Sequence, residues 1–298
     1  MPIELQSIDQ FDFHQAPVYG LAEFENELFS VGADRQVLHY WLQDNNWLAE
    51  QWALLPTAGF CCCFNSNSVF VGDSRGTIYV FNRMHKKLEK AVHAHQSGIL
   101  KMHILKDELW SIGQDGTINI WEISEFKNKR SIILGDVKLR DMCWDATTTN
   151  LGIIGLDGYL RIFDTEWMNE WHTQMTHASG GTAISFWSNK NLWITGGKDG
   201  LIQFWDPQQE KCLFDFQAHK SNVYRIIIEK ENQVLWTCSM DKSVKAWDMN
   251  TWECLGKWDK MNQTLFRSVN DLLLLNKDHL VIAGDNKKID VTKICFFK

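Results

Sequence analysis

Histidine, serine and aspartate occur in this chain in a combination that could perform acyl transfer. His95 is followed by Ser111 and Asp115, the residue types of a triad in which an aspartate orients a histidine and the histidine takes a proton from a serine nucleophile. Similar sets recur as His177, Thr195 and Asp199, and as His219, Thr237 and Asp241. A catalytic triad is needed only once, so the recurrence favours a structural network in which a buried aspartate accepts hydrogen bonds.

Four aspartates stand 42 residues apart, and each is followed six positions later by a large aromatic residue. The pairs are Asp115 with Trp121, Asp157 with Phe163, Asp199 with Trp205 and Asp241 with Trp247. In three of the four segments a glycine follows the aspartate, and in all of them the next residues alternate between apolar and polar. An Asp-Gly turn before a pattern of period two predicts a β-hairpin.

Weaker copies extend the repeat toward both ends of the chain. Asp34 leads to Tyr40, the turn after Gly72 carries the motif with one extra residue, and Gly284 and Asp285 lead into a further strand. Seven copies of 42 residues account for most of the 298 residues. A unit of that size holds four strands and has no space for a crossover helix. The sequence therefore predicts an all-β fold of seven four-stranded sheets.

These repeats resemble the WD-repeat (β-transducin repeat) family, whose period of about 40–45 residues carries a Trp-Asp signature. Trp205-Asp206 and Trp247-Asp248 match this signature, and Phe163-Asp164, Phe81-Asn82 and Trp121-Glu122 match it in part. The resemblance covers essentially the whole chain and implies a single seven-bladed β-propeller of four-stranded antiparallel blades over residues 1–298. The expected blades are 12–53, 54–93, 94–133, 134–175, 176–217, 218–259 and 260–298, with residues 1–11 completing the last blade and closing the ring.

In that family, the repeated polar set looks like a buried tetrad that joins the inter-blade loop to the second and third strands of a blade. Its members here are His95, Ser111, Asp115 and Trp121, then His177, Thr195, Asp199 and Trp205, and then His219, Thr237, Asp241 and Trp247. His14, Ser30 and Asp34 supply part of a fourth set. Repeats two, four and seven lack the histidine, so we expect their blades to be less stable.

The resemblance also points to a binding surface, because the family more widely uses the face that carries the inter-blade loops and the aspartate turns. One position of each inner strand on this face reads Tyr19, Phe60, Leu100, Arg140, Ala183, Tyr224 and Phe266, and Lys138 lies two residues before one of them. The residue before each turn aspartate reads Ala33, Ser74, Gln114, Leu156, Lys198, Met240 and Gly284. Aromatic anchors with a few cations and no acid predict a protein or peptide partner of acidic character.

Composition and motifs narrow the function classes. The formal net charge of −7 disfavours nucleic acid as a partner. The first ten residues have no signal-peptide pattern and no apolar run reaches 18 residues, so we expect a cytoplasmic protein without a membrane span. Eight cysteines without a C-x-x-C pair predict free thiols and no metal site. Because nucleotide-loop, H-E-x-x-H and G-x-S-x-G motifs are absent, we expect no cofactor and no catalysis.

Alternative functions stay open at this point. A local basic patch near Arg225 and Arg267 would favour an RNA-associated propeller subunit. A propeller enzyme or a sugar-binding module would need carboxylates or metal ligands in the central channel, and the sequence shows no such cluster. Trp167 and Trp252 in the outer hairpins offer another surface, although we interpret them as packing residues. The chain is expected to be a monomer or a subunit of a hetero-complex.

Overall fold

The computed structural model describes residues 2–44, 46–145, 150–261 and 264–297. All regular secondary structure in these ranges is β-strand. The strands of the N-terminal half are β1 (Ile3–Phe11), β2 (Val18–Phe24), β3 (Glu27–Gly32), β4 (Gln36–Gln43), β5 (Asn46–Leu54), β6 (Gly59–Phe64), β7 (Ser68–Asp73), β8 (Thr77–Asn82), β9 (Lys87–His93), β10 (Ile99–Leu105), β11 (Glu108–Gly113), β12 (Thr117–Glu122), β13 (Lys127–Ile133), β14 (Leu139–Asp145) and β15 (Asn150–Gly155). Those of the C-terminal half are β16 (Tyr159–Asp164), β17 (Glu170–Met175), β18 (Gly181–Trp187), β19 (Leu192–Gly197), β20 (Leu201–Asp206), β21 (Lys211–Gln217), β22 (Val223–Glu229), β23 (Val234–Ser239), β24 (Val244–Asp248), β25 (Cys254–Trp258), β26 (Lys260–Met261), β27 (Thr264–Leu265), β28 (Val269–Leu275), β29 (His279–Gly284) and β30 (Ile289–Phe296).

Seven four-stranded sheets form the blades of the ring. Blades one to six are β2–β5, β6–β9, β10–β13, β14–β17, β18–β21 and β22–β25, and blade seven is β28–β30 with β1. All strand pairs are antiparallel, and the first strand of each blade contacts the first strand of the next. The fourth strand lies outermost and is mostly exposed, as in β9 and β13. The predicted all-β seven-bladed propeller is confirmed.

Blade seven takes its outer strand from the beginning of the chain. β1 pairs with β30, so that Ile3 lies opposite Phe296 and Phe11 lies opposite Ile289. The side chains of Ile3 and Phe11 are buried, whereas alternate residues between them are exposed to solvent. This pairing covers the edge that β30 would otherwise present. The predicted closure of the ring by the N-terminal strand is confirmed.

Large aromatic side chains fill the space between neighbouring blades. Trp110, Trp193 and Trp236 lie in the second strands of their blades and are almost fully buried. Trp193 stands one residue earlier in its strand than the other two, whereas Trp110 and Trp236 share one register position. Gly152 holds this position in blade four, and a Cβ atom there would lie 2.3 Å from the ring of Trp193. The absent side chain of one blade therefore makes room for the indole of the next, and the ring is packed through complementary side chains.

Candidate partner-binding face

A buried polar network in blade three fixes the inter-blade loop against the turn. Nδ1 of His95 lies 3.1 Å from Asp115, and Nε2 lies 2.9 Å from the hydroxyl of Ser111. Nε1 of Trp121 lies 3.2 Å from the same hydroxyl. A carboxylate can only accept, so the Nδ1–H group donates to Asp115, and because burial disfavours a second ring proton, Nε2 accepts the Ser111 hydroxyl, whose oxygen accepts the indole N–H. This order of donors describes a neutral histidine.

Burial and hydrogen bonding hold the histidine and the aspartate of this network in different protonation states. Burial lowers the pKa of His95, against the opposing influence of Asp115. Burial alone would raise the pKa of Asp115, but the backbone N–H of Gln96 at 2.7 Å and the contact with His95 keep it below its usual range. Ser111 is fully buried, so no substrate can reach its oxygen. The arrangement acts as a structural link rather than as a nucleophile and its base.

The same network occurs in three more blades. In blade five the histidine lies 3.1 Å from the aspartate and 3.0 Å from the hydroxyl, through His177, Asp199 and Thr195. The corresponding distances are 3.1 and 2.8 Å for His219, Asp241 and Thr237, and 2.9 and 2.8 Å for His14, Asp34 and Ser30. Trp205 and Trp247 donate to their threonines at 3.1 and 3.0 Å. In blade one the hydroxyl of Tyr40, 3.1 Å from Ser30, replaces the indole.

The turn of blade two differs from the sequence prediction. In the strand register Asp73 occupies the position of Gly113, not that of Asp115, so the turn has no extra residue and its aspartate has moved by two positions. From there Asp73 accepts the hydroxyl of Thr57 at 2.5 Å and the N–H of Thr77 at 2.7 Å. The carboxylate thus still ties the inter-blade loop to the turn, without a histidine between them.

In blades four and seven, too, a polar side chain of the turn bonds to a residue other than histidine. Asp157 of blade four pairs with Arg161, which stands on the following strand. In blade seven Asn286 stands at the aspartate position and accepts the N–H of Lys288 at 3.4 Å. Each turn that lacks a histidine therefore keeps a polar side chain bonded within the turn or to the next strand.

A repeated backbone hydrogen bond defines the face that carries the inter-blade loops and the turns. In each blade one turn residue donates its N–H to the carbonyl of the residue before the inner strand, at 2.8–3.0 Å. The pairs are Ala33 with Pro17, Ser74 with Ala58, Gln114 with Gly98, Leu156 with Lys138, Lys198 with Gly180, Met240 with Asn222 and Asp285 with Ser268. The second residue of each inner strand lies next to these pairs, and those residues are Tyr19, Phe60, Leu100, Arg140, Thr182, Tyr224 and Asn270.

This register corrects three positions of the predicted surface. In blade five the residue at the surface is Thr182, and the predicted Ala183 is fully buried. In blade seven the residue is Asn270, whereas the predicted anchor Phe266 is 3% exposed and packs in the core between blades six and seven. The turn residue of blade seven is Asp285 rather than Gly284, so the expectation that this face carries no acid is wrong.

A cavity of about 270 Å³ opens at the centre of this face. The second residues of all seven inner strands line it, so it lies on the axis of the ring, at the mouth of the central channel. Tyr19 and Phe60 stand edge to face on its rim with ring centroids 5.5 Å apart. Three other predicted contact residues, Lys138, Lys198 and Met240, are exposed and lie outside its lining. The structure therefore groups the aromatic positions and Arg140 and leaves the two lysines at the periphery.

Two of the seven central positions are used by the fold itself. The hydroxyl of Thr182 donates to the carbonyl of Val223 in the next blade at 2.6 Å. The amide of Asn270 donates to the carbonyl of Val18 in blade one at 2.8 Å and to Asp285 at 2.8 Å. Their polar groups link neighbouring blades, so the positions free to contact a partner are Tyr19, Phe60, Leu100, Arg140 and Tyr224.

The floor of the cavity carries a charged network that the sequence analysis missed. Arg225 lies 3.4 Å from Asp271 and 3.8 Å from Asp141, and Lys101 lies 3.9 Å from Asp141. All four are the third residues of their inner strands. The expectation that no carboxylates line the channel is therefore wrong. The sequence did contain a signal. In four of the seven repeats a charged residue directly follows the second residue of the inner strand.

The two carboxylates of this floor are held by the backbone as well as by the cations. Asp141 accepts the N–H of Ile184 in blade five at 3.1 Å, and Asp271 accepts the N–H of Leu21 in blade one at 2.9 Å. Each therefore links its own blade to the next. Within the described ranges, no group of histidine, cysteine, aspartate and glutamate residues could hold a metal ion.

Arg140 differs from the other two cations of the cavity. Lys101 and Arg225 both pair with carboxylates, whereas no described residue forms an ion pair or a hydrogen bond with Arg140. Its Nε atom is buried without a partner. Burial lowers the pKa of Arg140, while the nearby Tyr224 and Asp141 act in the opposite direction. One cationic group of the cavity thus remains uncompensated by the part of the chain that the structure describes.

Comparison with known proteins agrees with the repeat network and the ring. The WD40 family model (WD domain, G-beta repeat) matches residues 171–206 and 210–248, which contain two of the Trp-Asp pairs and end at each of them. The WD40 β-propeller domain of Doa1 superimposes with a TM-score of 0.85 over 97% of both chains, at 14% sequence identity. The chain is a seven-bladed propeller that contains WD40 repeats.

Relatives of this WD-repeat propeller include proteins with different names. Cilia- and flagella-associated protein 52 of Bos taurus is 25% identical over 60% of the chain, polyadenylation factor subunit 2 of Gibberella zeae is 24% identical over 54%, and human pre-mRNA-processing factor 17 is 26% identical over 47%. The matched segments make up only 29%, 27% and 25% of these relatives. Among the residues described for the propeller, there is no helix of the length and apolar character needed to cross a membrane.

Proposed function

We propose that this WD-repeat propeller is a non-catalytic interaction module that binds a protein or peptide partner over the central cavity. The observation that carries the proposal is the set of side chains around the cavity that form no hydrogen bond or ion pair between blades: Tyr19, Phe60, Leu100, Arg140 and Tyr224. Tyrosine, arginine and other large side chains that lose water in a pocket dominate the energy of protein interfaces. Such a group on the axis of a rigid ring is typical of a docking site.

The names of the relatives support a role within complexes. One relative is named as a subunit of a polyadenylation factor and another as a pre-mRNA-processing factor. These names support a complex-subunit role for this chain without specifying its partner. The fold likewise favours a non-enzymatic role, since the serine and threonine hydroxyls of the repeated networks are buried and bonded. We further propose a cytoplasmic location, which fits the free cysteines of the chain.

A protein partner is favoured over RNA by the charges of the site. Arg225, which suggested a basic patch, is engaged with Asp141 and Asp271, and Asp285 adds a negative charge at the rim. The whole chain carries a net charge of −7. A phosphate backbone is bound by several uncompensated cations along its length, and the cavity offers one. The aromatic groups around Arg140 suit a side chain that enters the cavity from a protein surface.

The test compares two charge-introducing variants in affinity capture from native lysate. Tyr19→Glu with Tyr224→Glu places two carboxylates at the cavity, whereas Trp167→Glu changes an exposed aromatic residue, 69% accessible, on an outer hairpin. We expect the tyrosine variant to lose partners that the wild type and the tryptophan variant both retain. If the tyrosine variant keeps these partners and the tryptophan variant loses them, the binding site lies on the outer hairpins instead. Melting curves of all three proteins establish that the variants are folded.

A further inference from the structure

The lining of the cavity has one more cation than carboxylates, and Asp285 at its rim adds a negative charge that forms no ion pair with Arg140. Three cations line it, Lys101, Arg140 and Arg225, together with two carboxylates, Asp141 and Asp271. Both carboxylates already accept backbone N–H groups and face Lys101 or Arg225. Neither forms an ion pair with Arg140. A guanidinium that lacks a counter-charge in a partly enclosed site attracts an anionic group.

The surroundings of Arg140 restrict the form of that anion. The volume of about 270 Å³ is below the roughly 300–1,000 Å³ of pockets that enclose whole small molecules, so it suits a single side chain. Tyr19, Phe60 and Tyr224 present ring surface to the same cavity as the guanidinium, and Tyr224 is near enough to act on its pKa. An occupant therefore needs an apolar stem and a small charged end. Glutamate and aspartate have this form, and an arginine or lysine side chain would meet like charge.

We propose that the cavity receives one glutamate or aspartate side chain of the bound partner, whose carboxylate pairs with the guanidinium of Arg140 while its stem packs against Tyr19, Phe60 and Tyr224. The inference rests on the proposed function, because it names the residue that a partner inserts at that face. Arg140 is then the selectivity residue of the site, and the tyrosines and Phe60 supply contact area.

A peptide library tests the proposal without knowledge of the natural partner. Random dodecapeptides are selected on the immobilised full chain, and the enriched sequences are synthesised with blocked ends. Each is made with its acidic residue kept, replaced by the neutral isostere glutamine or asparagine, or replaced by phosphoserine. We expect the acidic form to bind wild-type chain about tenfold more tightly than the neutral form, as for one charge-assisted hydrogen-bonded pair. With Arg140→Met the ratio of the two affinities is expected to be close to one, and with Arg140→Lys it is expected to be intermediate. With the control Arg130→Met, in the outer strand β13, it should equal the wild-type ratio.

The outcomes separate this inference from the proposed function. If the peptides bind through Tyr19 and Tyr224 but show no preference for the acidic form, or the preference survives in Arg140→Met, the anionic anchor is wrong and the binding face stands. If phosphoserine binds about tenfold more tightly than the carboxylate, the occupant is a phosphate and the assignment of glutamate or aspartate is wrong. If no selected peptide depends on either tyrosine, both proposals are overturned. Thermal melts of the Arg140 variants show whether each remains folded.

Discussion

The carboxylate of Asp271 in blade seven accepts the backbone N–H of Leu21 in blade one at 2.9 Å, although 250 residues separate the two in sequence. The same carboxylate accepts the N–H of Leu272 at 3.0 Å and lies 3.4 Å from Nε of Arg225. The ring is therefore joined between its first and last segments both on the outside and at the central channel, where Asn270 also binds Val18. β1 and β30 close it on the outside, and Asp271 closes it at the central channel.

We predict that Asp271→Asn lowers the free energy of unfolding by about 2–4 kcal/mol, because an amide cannot neutralise the partly buried Arg225 and offers one acceptor oxygen instead of two. Urea denaturation followed by tryptophan fluorescence measures the change. The matched control is Asp278→Asn, whose side chain is 54% accessible and should change stability by less than about 0.5 kcal/mol. Equal effects of the two substitutions would show that the inner contact does not stabilise the ring.

Removal of residues 1–11 should lower the melting temperature by about 6–24 °C. The deletion exposes the edge of β30 and the apolar surface that Ile3 and Phe11 cover. Burial of those two side chains contributes about 3–6 kcal/mol, and each kcal/mol corresponds to about 2–4 °C in a chain of this size. Differential scanning calorimetry measures the shift. The control is Glu4→Gln, at an exposed position of the intact strand. A deletion variant with the same melting temperature as this control would contradict the stabilisation by β1.

The histidine networks predict that stability falls in two stages as the pH is lowered. Burial lowers the pKa of His95 and His219 in the folded chain, so from about pH 7 to pH 5 the unfolded chain binds protons that the folded chain does not, and unfolding becomes easier. The pKa values of Asp34, Asp115 and Asp199 are lowered in the fold despite the raising effect of burial, through hydrogen bonds from histidine and backbone N–H groups. Their contribution is present above about pH 4 and is lost as the pH falls below it.

Urea midpoints measured from pH 7 to pH 3 test both stages. Replacement of His95 and His219 by glutamine should flatten the slope between pH 7 and pH 5, although each variant is less stable throughout. His85→Gln, an exposed position, should leave the slope as it is in the wild type. A slope that is unaffected by the double replacement would mean that these two histidines do not carry the first stage.

Two glycines of the same turn region should differ in their tolerance of alanine. Gly116 has φ of 75°, and a Cβ atom there would lie 2.1 Å from the carbonyl oxygen of Gly135. Gly135 has φ of 94° and has nothing within 4 Å of the same position. Gly135→Ala therefore adds only the left-handed strain of about 1–2 kcal/mol, and Gly116→Ala should cost about 2 kcal/mol more because the backbone must also move. Equal losses in urea denaturation would contradict the clash.

The sequence predicts the blades well because the repeat is carried by residues whose roles are local. Asp115 and Trp121 belong to one turn and one strand, so their spacing stays the same in every intact copy. The position of the central residues depends instead on the length of the inter-blade loop. In blade seven that loop contains the added pair β26–β27, and counting residues from neighbouring repeats leads to Phe266 where the strand register places Asn270.

The central charges follow the same reasoning. Lys101, Asp141, Arg225 and Asp271 are far apart in sequence, and only the closed ring brings them together. In the sequence each looks like an ordinary charged residue of a strand. Their pairing could have been inferred once the inner strands were aligned on the last residue of each second strand, which is glycine or serine in the four blades concerned, since all four then share one register position.

The position of the closing pair determines how the ring responds to mechanical load. β30 runs away from the turn at Asn286, which belongs to the cavity face, so Ile3 and Phe296 meet at the far side of the blade. A force that pulls Ile3 and Phe296 apart would break the hydrogen bonds between β1 and β30 one after another, beginning at that end. The closing pair is therefore loaded from the face opposite the cavity, and a partner seated over Arg140 would leave that edge uncovered.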